Sequence, residues 1–233
     1  MAGAVTYALA DGVATVAMDD GKVNALSPAM LGELGAAVDR AEADGAALVL
    51  RGRAGIFSAG FDLGVLRGGG ADALAMLQSG FLLAERLLSF PAPVVVACSG
   101  HAIAMGSFLV LSGDHRIGVA GPFTLAANEV AIGITMPHAA VEICRHRLTP
   151  AAFDRAVNLA EVFSPEQAVV AGHLDEVVEA AAFDAAVAEV AGRLGALDRR
   201  AHAATKGRTR AEFLVRLRAA IERDDAELAG FVG

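Results

Sequence analysis

The stretch from Val94 to Asp114, VVVACSGHAIAMGSFLVLSGD, constrains the fold of this chain more than any other. A β-branched apolar run, Val94 to Ala97, ends at Ser99-Gly100. Small residues follow, and Gly106 opens a second apolar run to Leu111. This pattern predicts a buried strand, a tight turn and a buried helix. At such a hand-over the first N–H groups of the helix lack partners within it and carry the positive end of its dipole. A pocket there can hold a developing negative charge.

The flanking segments predict alternating strands and helices. Val5–Leu9 and Val13–Met18 around Asp11-Gly12 read as a hairpin. Ser27-Pro28 starts a helix, with Met30, Leu31, Leu34, Ala37 and Val38 at helical spacing up to about Ala43. A strand, Ala46–Leu50, follows, and Ile56–Ala59 leads into Gly60-Phe61-Asp62-Leu63. Gly68-Gly69-Gly70 reads as a mobile surface loop, since no Lys-Ser/Thr follows it to make a phosphate loop. Ala71–Leu88 is expected as a helix with Leu74, Leu77, Phe81, Leu82 and Leu88 inward. After Asp114 the reading is a strand over Arg116–Val119, extended chain over Phe123–Ala126, and the segment Asn128-Glu129 ahead of Val130-Ala131-Ile132-Gly133. Helices then dominate. They are expected at Ala139–Arg147, from a Thr149-Pro150 cap to Ala160, from the capping box at Ser164–Gln167 to Gly172, at Ala181–Leu194 and at Thr209–Leu228, with a short strand at Leu174–Val178.

Composition narrows the function. With 233 residues, 55% of them hydrophobic, the chain can bury a sizeable core. The net charge of -8 and the lack of a basic run argue against nucleic acid or an anionic membrane as partner. Cys98 and Cys144 lie in apolar surroundings and read as free thiols of a reducing, cytoplasmic compartment. No secretory leader pattern or membrane-length apolar run is found.

Several constellations could carry chemistry. The turn Ser58-Ala59-Gly60-Phe61-Asp62 joins Gly100–Gly106 as a second small-residue turn after a strand, and two such turns can supply two N–H donors to one oxyanion. Glu129, between apolar residues, stands equally as a solvated boundary charge and as a general base raised toward neutrality by desolvation. His138, Glu142 and His146 share a helix face, but Arg145 and Arg147 beside them favour an ion-paired surface over a metal site. His101 reads as a pocket-lining or capping residue and Asp114 as a turn residue. No G-x-S-x-G elbow surrounds Ser58, Ser99 or Ser107, so a serine hydrolase is disfavoured, and no G-x-G-x-x-G follows a strand.

Five segments in order, VNALSPAM, FSAGFDL, GHAIAMGSFLVLSGDHRIG, ANEVAIGITMP and AVVAGHLDEVV, resemble the crotonase superfamily, the enoyl-CoA hydratase/isomerase family. The resemblance covers most of the chain. It implies an α/β fold: a ββα spiral core over residues 1–180, carrying the acyl-CoA site, and a C-terminal helical trimerisation region over 181–233. It implies an acyl-CoA thioester as substrate, coenzyme A entering only as part of it, no other cofactor, and a homotrimer or dimer of trimers. By position, the thioester oxygen would be held by the N–H groups of Phe61 and Met105. Substrate contacts would fall on Lys22, Val23, Ala25, Ala59, Asp62, Leu63, Gly106 and Phe108.

Two departures bear on the reaction. Ala104-Met105-Gly106 replaces the family's glycine triplet, which keeps the amide but adds a Met side chain expected to narrow the acyl tunnel. Phe108 stands where hydratases of the family carry a glutamate, and Glu129 matches their second one. One carboxylate can shuttle a proton between two carbons of an enolate, whereas adding water with a single base is harder. The expected activity is therefore an enoyl-CoA isomerase. A hydratase of fatty-acid β-oxidation and an acyl-CoA-binding protein without turnover are the alternatives.

Overall fold

The computed structural model describes residues 3–232, with side chains as far as Glu227. Strands β1 (Val5–Ala10) and β2 (Val13–Met18) form the expected antiparallel hairpin. Asp11 and Gly12 between them both have positive φ, 49° and 75°, the geometry an Asp-Gly hairpin turn adopts most readily. Helix α1 (Pro28–Ala43) begins at its predicted cap, where Ser27 Oγ accepts from the Met30 amide at 3.2 Å.

A ββα unit then recurs three times. Strand β3 (Ala47–Arg51) leads to β4 (Gly55–Ser58) and helices α2 (Leu63–Gly68) and α3 (Gly70–Ser89). Strand β5 (Val94–Cys98) leads to β6 (Gly100–Ile103) and α4 (Met105–Leu111). Strand β7 (His115–Val119) leads to β8 (Leu125–Ala126), a 3-10 turn (Val130–Ile132) and α5 (His138–Arg147). After these come α6 (Pro150–Leu159), β9 (Val162–Phe163), α7 (Pro165–Ala171), β10 (Glu176–Val178), α8 (Phe183–Gly195) and α9 (Arg199–Val232).

The first strand of each unit enters a sheet of order β1-β2-β3-β5-β7-β10, and the second enters a smaller sheet of order β4-β6-β8-β9. From β2 to β10 the larger sheet is parallel, as are β4, β6 and β8 in the smaller one. Each unit therefore adds one strand to both sheets in the same sense, and the chain winds as a spiral of ββα turns. Strand β5 is buried along its whole length, as a central parallel strand covered on both faces must be. One core lies between the sheets and α1, α3, α4 and α5. A second lies under α8, where Phe183, Val187 and Val190 meet Val49, Val95 and Ile117.

Several expectations need correction. The turn predicted after Val94–Ala97 contains a second strand, β6, reached across the single residue Ser99. Gly68-Gly69-Gly70 is a junction between two helices rather than a loop, with Gly69 at φ 62° breaking the helical path. The expected inward face of α3 holds in part: Phe81 and Leu88 are buried, and Leu74 and Leu77 partly so. Met76, Gly80, Ala84 and Leu87 are buried, whereas Leu82 is exposed, because small Gly80 and Ala84 let the helix approach the core closely. Thr149 gives α6 no side-chain cap. Helix α9 starts at Arg199, not at Thr209, capped by Asp198, whose Oδ1 accepts from the Ala201 amide at 2.7 Å. The apolar face of α9 packs inside its own chain, with Phe213, Leu217 and Ile221 buried in the main core.

Asp114 ties α9 to the central sheet. Its Oδ2 accepts from the Val94 amide at 2.8 Å and from Lys206 Nζ at 2.7 Å, and its Oδ1 accepts from Arg210 Nη2 at 2.6 Å. Lys206 and Arg210 are buried, and Asp114 is largely so. Burial opposes ionisation of Asp114, but the Lys206 and Arg210 charges override it and hold its pKa below the usual carboxylate value. Replacing Asp114 with Ala strands two buried cations, and urea denaturation at pH 7 should show a loss of about 3–5 kcal/mol. Because the folded-state pKa is depressed, that deficit should be full above about pH 4 and shrink as the pH falls further.

Candidate active site

Two turns leave the same edge of the smaller sheet, one after β4 and one after the adjacent parallel strand β6. They touch. A Cβ on Gly60 (φ 88°) would lie 3.0 Å from the Ile103 carbonyl oxygen and 3.3 Å from the Met105 nitrogen. One on Gly106 would meet the Ser58 carbonyl and lie 2.9 Å from Ser58 Cβ. Glycine is thus required at both positions by close backbone approach. Ala104, at φ 51° and ψ -124°, turns the chain into α4 in a sparsely populated conformation that costs on the order of 1–3 kcal/mol for a residue with a Cβ. Among the described residues, neither the Phe61 nor the Met105 N–H has a hydrogen-bond acceptor.

A cavity of about 490 Å³ opens against these turns. Phe61, Phe81 and Phe108 form one wall. Phe81 meets Phe61 edge-on and stacks with Phe108, both at centroid distances of 6.2 Å. Leu66 and Leu77, the loop around Met136, and Ile221 of α9 continue the apolar lining. Glu129 also lines it, at the entry to the 3-10 turn, with 7% of its surface exposed. Its Oε2 is buried with no donor among the described residues, and burial pushes its pKa up to about 7.

Three other carboxylates border the cavity, and each is engaged. Asp224 caps α5, accepting from the His138 amide at 2.8 Å and the Ala139 amide at 2.9 Å. Asp225 accepts from Gln78 Nε2 at 2.6 Å, and Glu227 lies 3.0 Å from His138 Nε2. Glu129 is the cavity carboxylate that no other residue engages among the described residues: its Oε2 has no donor, and its own amide is the backbone group that bonds the carboxylate.

The structure brings Phe61, Ala59, Leu63, Phe108 and Glu129 to one lining. Lys22, Val23, Ala25, Asp62 and Gly106 stand behind it or beside it. The Val23 carbonyl accepts from the Ala59 amide at 3.0 Å, and the Lys22 carbonyl accepts from Arg53. Asp62 caps α2 through Gly64 and Val65. Met105 corrects an expectation: its side chain is fully buried and turned to α3, where its Cγ would be 3.5 Å from a Cβ on Gly80. It therefore does not narrow the tunnel. His101 is bound to Thr124, at 2.9 Å from its hydroxyl, away from the lining. The three residues weighed as a metal site are dispersed: His138 to Glu227, Glu142 to Arg145 and Arg216, and His146 stacked on Phe213 at 3.8 Å. Among the described residues no group of His, Cys, Asp and Glu could hold a metal ion.

The sequence reading missed Asn128, Gln78, Ile221 and Asp224. Asp224 caps a helix 86 residues upstream, for which no local signal exists. Asn24 was also missed. It is buried at φ 50°, donates to the Met18 and Phe57 carbonyls at 3.1 Å, and holds the loop carrying Val23 against the end of β4.

A family model described as enoyl-CoA hydratase/isomerase matches residues 9–230. A curated relative, a probable enoyl-CoA hydratase of Rhodobacter capsulatus, is 35% identical over 112 residues, 47% of this chain and 44% of that protein. The chain thus spans less than half the length of that relative. An enoyl-CoA hydratase/isomerase family protein from Pseudomonas syringae superposes with a TM-score of 0.94 at 47% identity, covering 97% of this chain and 98% of that one. A Mycobacterium tuberculosis protein described as an enoyl-CoA isomerase gives 0.93 at 48%, covering 97% and 100%.

Raising the Glu129 pKa has a stability signature. The folded state binds its proton more tightly than the unfolded chain, so wild-type stability falls as the pH rises from about 4 through about 7. Glu129→Gln removes the charge and should stabilise the protein by a few kcal/mol above pH 7, a gain that vanishes below about pH 4. Thermal melts across that range check it.

Proposed function

This chain belongs to the enoyl-CoA hydratase/isomerase family, and we propose that within it the chain isomerises 3-enoyl-CoA thioesters with Glu129 as the single base. The observation that carries this reading is the cavity's inventory of carboxylates. Glu129 alone is engaged by no other residue among the described ones, and Phe108 shares the lining where a second acid would be needed to hold water.

The reaction then runs through one proton. Glu129 takes a proton from C2, and the C2–H electron pair moves into a dienolate with charge on the thioester oxygen. The N–H groups of Phe61 and Met105, without acceptors among the described residues, would donate to that oxygen, the second of them at the start of α4, where the helix dipole adds to the effect. Protonated Glu129 returns the proton at C4, which leaves the double bond between C2 and C3. No water is consumed, and Glu129 ends as it began. A base with a pKa near 7 suits this task, because it is ionised at physiological pH yet basic enough to take a carbon-bound proton. The aromatic and aliphatic lining fits an acyl chain. Ala59, Asp62 and Leu63, with the Lys22–Ala25 loop, would contact the coenzyme A portion, and Gly106 would serve by keeping the two turns close. No helix among the described residues is long and apolar enough to cross a membrane. We take the working form to be a cytoplasmic homotrimer or dimer of trimers, which light scattering on the purified protein would check.

Purified protein should convert 3-enoyl-CoA to the 2-enoyl isomer. Its kcat/KM should rise with pH through about 7 and level off above, since the base must be ionised. Glu129→Gln should lower the rate by about 10²–10⁴-fold. Efficient hydration of crotonyl-CoA would replace this reading with a hydratase. Tight acyl-CoA binding without product would replace it with a carrier.

A further inference from the structure

Asn128 has no part in the reaction as written. It nevertheless lines the same cavity as Glu129, and its Oδ1 is buried without a donor among the described residues, as is Oε2 of Glu129. Two unpaired acceptors on successive residues of one lining are costly, because each gave up water on folding. The Glu129 amide bonds its own carboxylate but leaves Oε2 without a donor, and the Ile132 and Ile134 amides are spent elsewhere. The Ile132 N–H donates to the Asn128 and Glu129 backbone carbonyls at 3.3 and 3.1 Å, and the Ile134 N–H donates to the Glu129 carbonyl at 2.9 Å. The charged and titratable groups around the pair supply no donor either. Asp224, Asp225 and Glu227 face the cavity from α9 and are carboxylates. His138 of α5 is paired with Glu227, and Cys144 of the same helix makes no hydrogen bond to either oxygen.

Two acceptors without protein donors match one water molecule, which has two O–H donors. We propose that Asn128 is a positioning residue for Glu129: its carboxamide oxygen and Glu129 Oε2 hold one water between them, which fixes the carboxylate with Oε1 free for the substrate. The proposal rests on the isomerase reading only for the role of Oε1. A donor to Oε2 favours the ionised carboxylate and partly offsets desolvation. It also restricts the carboxylate's rotation, so one oxygen can reach both C2 and C4 without the side chain swinging away.

The test is a titration of the Glu129 carboxyl carbon by 13C NMR, assigned with Glu129→Gln, in wild type and in Asn128→Leu, which keeps the branched shape and removes the acceptor. The Leu variant should titrate about half a unit or more higher, with kcat down about tenfold, KM unchanged and the pH profile of kcat displaced by the same amount. Asn128→Ser, which keeps an oxygen, should recover most of the difference. Should the Leu variant fail to fold, Asn128→Ala carries the same comparison. An unchanged titration in the acceptor-less variant overturns the proposal, whatever the enzyme's activity. A displaced titration in a protein that shows no isomerase activity supports the positioning role and sinks the isomerase reading alone.

Discussion

The backbones of the two turns after β4 and β6 approach until no side-chain atom fits between them. Gly60 and Gly106 meet that constraint, and Ala104 satisfies it at the edge of what a residue with a Cβ can adopt. The contact brings the turns carrying the Phe61 and Met105 amides together beside the cavity that Phe61 and Ala104 line, and neither amide has an acceptor among the described residues. Side chains could hold two donors near each other, but they would have to be ordered by packing. Backbone amides on strand-anchored turns are ordered by the sheet itself, so little reorganisation is left to the moment of reaction. Gly80 extends the same logic. A Cβ there would lie 2.5 Å from Phe61 Cζ, so the bare helix surface admits the ring that forms the cavity wall.

The far end of α4 is served by other parts of the chain. Arg147 of α5 donates to the Leu111 carbonyl at 3.0 Å and to the Gly113 carbonyl, which puts a cation at the negative end of the helix. At the other end of α5, Asp224 of α9 accepts from the first two amides. Helix α9 is in turn tied to the central sheet through Lys206, Arg210 and Asp114. The terminal helix thus supplies the cap of α5, one wall of the cavity through Ile221, and the counter-charges of Asp114. The spiral core and its last helix are electrostatically one structure.

What was legible in the sequence has a common physical character. Signals complete within a few residues came through, the Thr149 cap excepted: the Asp11-Gly12 turn, the Ser27 cap, and the reciprocal capping box of Ser164 and Gln167, both bonds of which are present. So did the order of ββα units, because strand and helix periods differ. Signals that depend on distant partners did not. The strand GHAI of β6 reads as a turn because it is four residues long and follows Ser99-Gly100, and only its partners in the second sheet make it a strand. The first ten residues of α9 are largely polar and lack apolar periodicity. Lys206 and Arg210 hold them through a carboxylate more than ninety residues away, Arg210 at |i−j| = 96. In the cavity, Glu129 and Phe61 stood out through their local segments. Asn128 and Asp224 carry no mark in sequence, because one matters by lacking a partner and the other by having a remote one. The Met105 side chain was misplaced because its destination depends on a glycine in a different helix.

Helix α2 is built unlike its neighbours. It has six residues and buries none of them, is held at one end by the Asp62 cap, and stops at a glycine junction. Yet Leu63 and Leu66 on it line the cavity. A segment with so little buried surface opens locally at a small fraction of the free energy needed to unfold the sheets around it, and its amides exchange with solvent far ahead of those in β5. The side of the cavity lined by α2 is the one whose opening leaves the core undisturbed.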